Sequence, residues 1–106
     1  MTEVCDISVI VPCYNANRYL NICLESLKAQ RAPNIEMIFI DDGSTDDSLA
    51  LLQQACGRNR DFHYLAFECN AGLSAAIKAG IDHAESPLVG YIDADLQTTP
   101  EDFERL

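Results

Sequence analysis

The chain has 106 residues, of which 48% are hydrophobic, and it carries a formal net charge of -10 at pH 7. This length suits one small domain or a part of a larger one, and the apolar content excludes a disordered tail. The negative charge argues against a nucleic-acid partner, because the phosphates would be repelled.

The N-terminal residues and the cysteines predict a cytoplasmic protein. Met1-Thr2-Glu3 is not basic and the first apolar run is short, so a secretory signal is not expected. No apolar run approaches the length of a transmembrane helix. The five cysteines are odd in number and irregularly spaced, which favours reduced thiols.

The first half of the chain predicts two strands, each followed by a helix. An apolar run over residues 7–11, stopped by Pro12, predicts a strand buried on both faces. A helix is predicted over residues 16–30, because apolar residues recur on one helical face, namely Tyr19, Leu20, Cys23, Leu24 and Leu27. A second strand is expected over residues 35–40, and Ser44 is the predicted N-cap of the helix that follows.

The second half repeats this alternation. Strands are predicted over residues 62–67 and 88–92, with a helix between them that begins near Leu73. Thr99 and Pro100 predict the start of a fourth helix. The apolar stripe of the third helix is expected to consist of Leu73, Ala76, Ile77, Gly80, Ile81 and Ala84.

Alternation of strands and helices predicts an α/β fold with a parallel sheet between two helix layers, a Rossmann-like arrangement. In such sheets, ligands bind at the carboxyl ends of the strands. Three polar segments follow predicted strands, at residues 12–15, 41–44 and 93–97. We therefore expect them to meet at one edge of the sheet.

The third polar segment contains carboxylates that suit a cation. In an extended backbone, Asp93, Asp95 and Gln97 face the same side. Their close negative charges need compensation, and a hard divalent cation prefers such oxygen ligands. The alternative interpretation is a strand that ends in a solvated acidic turn.

The other two segments suggest how a nucleotide would be held. The chain lacks the glycine-rich phosphate loops of dinucleotide-binding and P-loop proteins, so phosphates would need a metal. Asp41 or Asp42 could accept hydrogen bonds from a base or a ribose, and Tyr14 could pack against the ring. A well-capped helix entry is the alternative explanation of the second segment.

Four motifs together resemble family 2 glycosyltransferases of the GT-A type. They occupy residues 9–15, 40–46, 70–72 and 91–95, in the order and spacing of that family. The variant Asp93-Ala94-Asp95-Leu96-Gln97 resembles the subgroup that includes dolichol-phosphate mannosyltransferase and bacterial polyprenyl-phosphate glycosyltransferases. The resemblance implies a strand order of 3-2-1-4 and sugar transfer from a UDP- or GDP-sugar with inversion.

The resemblance also implies a role for each matching residue. Asp93 and Asp95 would be the catalytic pair and would bind Mg²⁺ or Mn²⁺ on the donor diphosphate, with Gln97 assisting. The nucleotide sugar would be held by Pro12, Tyr14, Asn15, Asp41, Asp42, Asp93 and Ala94.

Two departures from the family pattern limit these implications. Ala16 follows Tyr14-Asn15, where the mannosyltransferase subgroup commonly has an acidic residue. The acceptor-binding elements and the usual base of the family are also missing. We therefore expect residues 1–106 to be a truncated donor-binding part that is inactive alone.

The missing part would bind a lipid-phosphate or saccharide acceptor and could bring the full-length protein to the inner face of the membrane. Its absence leaves the predicted strand over residues 88–92 at an open edge of the sheet. Exposed edges of this kind pair with other chains, so we expect self-association.

Other functions remain open from the residues alone. One is a metal-dependent nucleotide-binding module without catalysis. Another is a haloacid-dehalogenase-type phosphatase, although that chemistry needs Thr or Val where Gln97 stands. A calcium loop is a third, but Thr98 replaces its tight-turn glycine and Pro100 interrupts it.

Overall fold

The computed structural model describes residues 6–29 and 35–92, which form four strands and three helices. The sheet has the order β3-β2-β1-β4, and each neighbouring pair is parallel. This confirms the predicted α/β class and the predicted strand order. The elements are β1 (Ile7–Cys13), α1 (Asn17–Ala29), β2 (Ile35–Asp41), α2 (Ser48–Arg58), β3 (Phe62–Ala66), α3 (Leu73–His83) and β4 (Leu88–Tyr91).

The two central strands of the sheet are buried on both faces, because their alternate residues enter two different core clusters. Val11 and Phe39 belong to the cluster formed with α1 and α2. Ile10 and Ile38 belong to the cluster formed with α3. The three layers follow from this alternation, since successive strand side chains point to opposite faces.

Helix α3 lies directly against the sheet at Gly80. A Cβ atom added at Gly80 would lie 2.6 Å from Cγ2 of Ile10, so a larger residue would not fit there. Ala76 and Gly80 are buried, but Leu73 and Ile81 are 51% and 50% exposed. The predicted apolar stripe of this helix is therefore correct at its centre and wrong at these two positions.

Two strands extend further than the sequence predicted. Strand β1 continues through Pro12 to Cys13, whose register partner on β2 is Asp41. Pro12 thus lies within the strand, near its end. The absence of an N–H there removes little of the hydrogen bonding between strands. Asp41 is the last residue of β2 and not part of the loop after it.

The predicted fourth helix lies outside the described residues, as does the segment from Asp93 onward. Among the helices that the structure describes, none is long and apolar enough to span a membrane.

Candidate functional site

Three loops begin at the same edge of the sheet. We call residues 14–16 loop 1, residues 42–47 loop 2 and residues 67–72 loop 3. The last residues of β1, β2 and β3 are paired in register, since Asp41 is opposite both Cys13 and Ala66. In addition, the Ile92 N–H donates to the Ile10 carbonyl at 2.9 Å, so the residue before Asp93 lies beside β1.

Asn15 joins loop 1 to loop 2. Its N–H donates to Oγ of Ser44 at 3.0 Å. Its side-chain oxygen accepts bonds from the N–H of Thr45 at 2.8 Å and from the Thr45 hydroxyl at 3.3 Å. Asn15 was predicted to bind the nucleotide, but its side-chain oxygen is already used in hydrogen bonds within the protein.

The start of α1 is capped by residues that follow β2. Oγ of Ser48 accepts the Ala16 N–H at 2.9 Å, and Oδ2 of Asp46 accepts the Asn17 N–H at 3.3 Å. These contacts satisfy amide groups that a helix cannot bond internally. The prediction that Ser44 caps α2 is wrong, because this helix begins at Ser48.

The carboxylate of Asp46 is surrounded by hydrogen-bond donors. Burial by itself raises its pKa, but bonds from Ser48 and from the amides of Asn17 and Asp46 lower it, and the net pKa is below the ordinary value of 3.8. Asp46 therefore stays ionised near neutral pH and can accept at both oxygens.

Asp42 joins loop 2 to loop 3. Its Oδ1 accepts the Ala71 N–H at 2.7 Å. Its Oδ2 accepts the Gly72 N–H at 3.0 Å and the Asn70 side-chain amide at 3.1 Å. The Asn70 amide also contacts the Asp42 carbonyl at 3.3 Å. Asp42 thus fixes the turn that leads into α3.

Gly43 lets the two loops approach closely. It has a φ of 72°, which side chains other than glycine rarely adopt. A Cβ atom at this position would overlap the backbone between Cys69 and Asn70 and would lie 2.7 Å from Cα of Cys69. Glycine is therefore needed at this position both for its positive φ and for the close contact between loops 2 and 3.

Asp41 and Tyr14 present the polar and aromatic groups that the sequence predicted. The side chain of Asp41 is buried, and its Oδ1 has no hydrogen-bond partner among the described residues. An unsatisfied buried acceptor is costly, so a hydrogen-bond donor at this oxygen would stabilise the fold. Tyr14 is 52% exposed, whereas Pro12 is buried.

Cys13, the last residue of β1, does not have the surroundings of a nucleophile. It is buried, and its Sγ lies 3.4 Å from the Val11 carbonyl, to which it donates.

The predicted metal ligands Asp93, Asp95 and Gln97 lie outside the described residues, as does Ala94 of the predicted nucleotide-sugar site. Within the described part of the chain, no group of three or more His, Cys, Asp or Glu residues could hold a metal ion.

The structure adds loop 3 to the site. The sequence contained the signal, Asn70-Ala71-Gly72, as one of four motifs, but no role was predicted for it. Its contact with Asp42 joins residues 28 to 30 positions apart, which no local periodicity indicates.

Comparison with known proteins identifies relatives over nearly the whole chain. The chain is 39% identical over 105 residues to undecaprenyl-phosphate 4-deoxy-4-formamido-L-arabinose transferase of Proteus mirabilis, covering 94% of the chain and 32% of that protein. It is also 39% identical over 89 residues to glycosyltransferase GlyA of Streptococcus pneumoniae, covering 84% and 13%.

Solved structures have the same fold. TarS of S. aureus in complex with UDP-GlcNAc matches with a TM-score of 0.77 and 32% identity, over 85% of this chain and 26% of that one. The mannosyltransferase PcManGT of Pyrobaculum calidifontis, in complex with GDP-Man and Mn²⁺, matches with a TM-score of 0.79 over 89% of this chain and 28% of that one. Its identity of 24% supports the fold alone.

The chain spans about a third or less of the length of these relatives. The profile of the family described as "Glycosyl transferase family 2" matches residues 8–106. This match covers almost the entire sequence, so the chain belongs to glycosyltransferase family 2.

Proposed function

We propose that residues 1–106 form the donor-binding part of a glycosyltransferase that uses a nucleotide sugar. The observation that carries this proposal is the joining of loops 1, 2 and 3 by hydrogen bonds at the carboxyl edge of the sheet. This edge is where parallel α/β sheets bind their ligands. TarS, a relative by structure, is known in complex with UDP-GlcNAc, which supports a nucleotide-sugar donor.

The nucleoside would lie against Pro12 and Tyr14, with its polar edge toward the two adjacent aspartates. Asp41 would offer the buried oxygen that lacks a partner in the described residues. The carboxylate of Asp42 already accepts three bonds from loop 3, and a carboxylate offers about four acceptor positions. Asp42 therefore has room for one further donor, such as a ring N–H.

The donor diphosphate would lie at Asp93, Ala94, Asp95 and Gln97. Two carboxylates and an amide oxygen are ligands that fit Mg²⁺ or Mn²⁺. When bound there, such a cation supplies positive charge that stabilises the nucleoside diphosphate leaving group. Asp93 and Asp95 would bind the donor diphosphate through this cation, because carboxylates alone would repel the phosphates.

The proposed reaction is a single displacement at the anomeric carbon. The bond from this carbon to the diphosphate breaks while a bond to the acceptor oxygen forms, so the nucleoside diphosphate leaves with the bonding electrons and the configuration is inverted. An ionised phosphate acceptor has no proton to lose, whereas a saccharide hydroxyl would give its proton to a carboxylate base. Similarity to an undecaprenyl-phosphate transferase supports a polyprenyl phosphate as the acceptor, with a saccharide as the alternative. A lipid acceptor of this kind would bring the full-length protein to the inner face of the membrane.

Calorimetry with UDP, GDP, UDP-sugars and GDP-sugars, each with and without Mn²⁺, tests the donor site. We expect one nucleotide class to bind in a Mn²⁺-dependent manner. Asp95→Ala should abolish the Mn²⁺ dependence, because it removes a proposed metal ligand. Glu85→Ala is the control, since it removes the same charge from an exposed position after α3 and should bind like the wild type.

Equal Mn²⁺-dependent binding by Asp95→Ala would contradict the metal assignment, and no binding of any nucleotide would contradict the donor site. A sugar-transfer assay then separates binding from catalysis. We expect the 106-residue chain to bind without turnover, and turnover would show that the chain carries its own acceptor site and base.

A further inference from the structure

Asn15 has an unusual backbone conformation next to the proposed base-stacking residue. Its φ of 47° is the only positive φ of a non-glycine residue among the described residues. Such conformations are unfavourable for most side chains and persist where the surroundings hold them, often beside functional sites. Asparagine tolerates this region better than most residues.

The contacts of Asn15 explain what holds this conformation. Its N–H and its side-chain oxygen together make three hydrogen bonds to Ser44 and Thr45, residues 29 and 30 positions away. All three bonds cross from loop 1 to loop 2. The side chain therefore acts as a link between loops.

Tyr14 lies between two fixed neighbours. On one side, the Cys13 carbonyl accepts the Asp42 N–H at 2.8 Å, and Cys13 is buried. On the other side is Asn15, with its three bonds to loop 2. The Tyr14 ring itself is 52% exposed. An exposed aromatic ring on a backbone held from both sides is suited to stack against a flat ligand.

We infer that Asn15 is a positioning residue, which holds Tyr14 in the orientation that stacks on the nucleobase of the donor. This inference rests on the proposed function, because it requires a nucleotide at loops 1 and 2. It replaces the expectation from the family resemblance that Asn15 itself contacts the nucleotide. Asn15 acts through Tyr14, so its effect on binding must depend on the Tyr14 ring.

A double-mutant cycle with Asn15→Gly and Tyr14→Ala tests this dependence. Glycine keeps the positive φ but removes the side-chain bonds to Thr45. The dissociation constant of the nucleotide that binds the wild type is measured by calorimetry at a temperature where every variant is folded. Asn21→Gly is the control, because it places glycine at an exposed position of α1 and weakens the fold without touching loop 1.

The expected result is a strong coupling between the two residues. Loss of a stacking ring should weaken binding about tenfold in Tyr14→Ala. Asn15→Gly should weaken it about fivefold when Tyr14 is present and by less than about 1.5-fold in the Tyr14→Ala background. Asn15→Asp, which keeps the acceptor oxygen, should retain its transition temperature and most of the binding, and Asn21→Gly should bind like the wild type.

Three outcomes would overturn the inference. If Asn15→Gly binds like the wild type while Tyr14→Ala does not, Asn15 has only a structural role, and the proposed function stands. If Asn15→Gly weakens binding equally in both backgrounds, Asn15 contacts the ligand directly. If Tyr14→Ala binds as tightly as the wild type, both the inference and the proposed role of Tyr14 are wrong.

Discussion

Asp41 and Asp42 are neighbours in sequence with different surroundings. Their place at the carboxyl end of a buried strand was predictable, because an apolar run leads directly into them. Their different contacts were not, since Asp42 meets residues 28 to 30 positions later and Asp41 has a buried oxygen without a described partner. The direction of each side chain depends on where loop 3 lies, and no local pattern specifies that.

At the same scale, substitution of Gly43 tests how tightly loops 2 and 3 are packed. Gly43→Ala should lower the free energy of unfolding by about 3 kcal/mol, from a strained φ and from overlap with the Cys69 and Asn70 backbone. Gly57→Ala is the matched control, because a Cβ atom there has nothing within 4 Å. It should be neutral or stabilise α2 by about 0.5–1 kcal/mol.

Urea denaturation of the two glycine variants measures both free energies. Equal stabilities for Gly43→Ala and the wild type would show that the two loops can separate without cost.

Helix α1 is an element whose start is defined by another part of the chain. Its length and its buried face followed from apolar spacing, and Leu20, Cys23, Leu24 and Leu27 are buried as predicted. Tyr19, on the same predicted face, is 40% exposed. The cap of the helix could not be predicted, because Ser48 lies 32 residues after the amide that it accepts. Local capping rules placed Ser44 at the start of α2, but this helix begins at Ser48, whose N–H donates to Oδ1 of Asp46 at 2.9 Å.

At the level of this element, Ser48→Ala should destabilise the protein by about 1–3 kcal/mol, because it leaves the buried Ala16 N–H without its acceptor. Ser26→Ala on the exposed side of α1 is the control and should change the stability by less than about 0.5 kcal/mol. Thermal unfolding followed by circular dichroism compares the two. If Ser48→Ala changes the stability by less than about 0.5 kcal/mol, Ser48 does not cap the start of α1.

For the whole molecule, the sheet and its layers were the most predictable features. Four apolar runs separated by helical segments define a parallel sheet, and burial of alternate residues on both faces follows from that arrangement. The order of the strands came from family resemblance and is confirmed. Periodicity alone could not supply it, because pairing between distant strands leaves no local signal.

Among residues 6–29 and 35–92, β4 is an end strand of the sheet, and it exposes an apolar surface, with Leu88 62%, Val89 43% and Tyr91 47% exposed. Strand edges that are not paired within their own chain bind other chains. We therefore propose self-association through β4, opposed by the net charge of -10. Sedimentation at about 1 mM protein and raised salt should detect dimers, since salt screens that repulsion.

Val89→Lys should shift this equilibrium toward the monomer, because an edge lysine disfavours strand pairing. Ile22→Lys is the control, since Ile22 is 60% exposed on a helix and not on a strand edge. A wild-type chain that stays monomeric at high concentration would rule out self-association. A Val89→Lys variant that dimerises like the wild type would show that the dimer forms through a surface other than β4.

The hydrogen bonds between loops affect how this site can be re-engineered. Asn15 fits only a loop 2 that offers an acceptor such as the Ser44 hydroxyl and a backbone amide at Thr45, and Asp42 fits only a loop 3 whose amides lie in the same positions. A chimera that imports one loop from a relative would therefore break contacts with the two that remain. We therefore expect the proposed donor preference to be transferred between relatives only when all three loops are exchanged together.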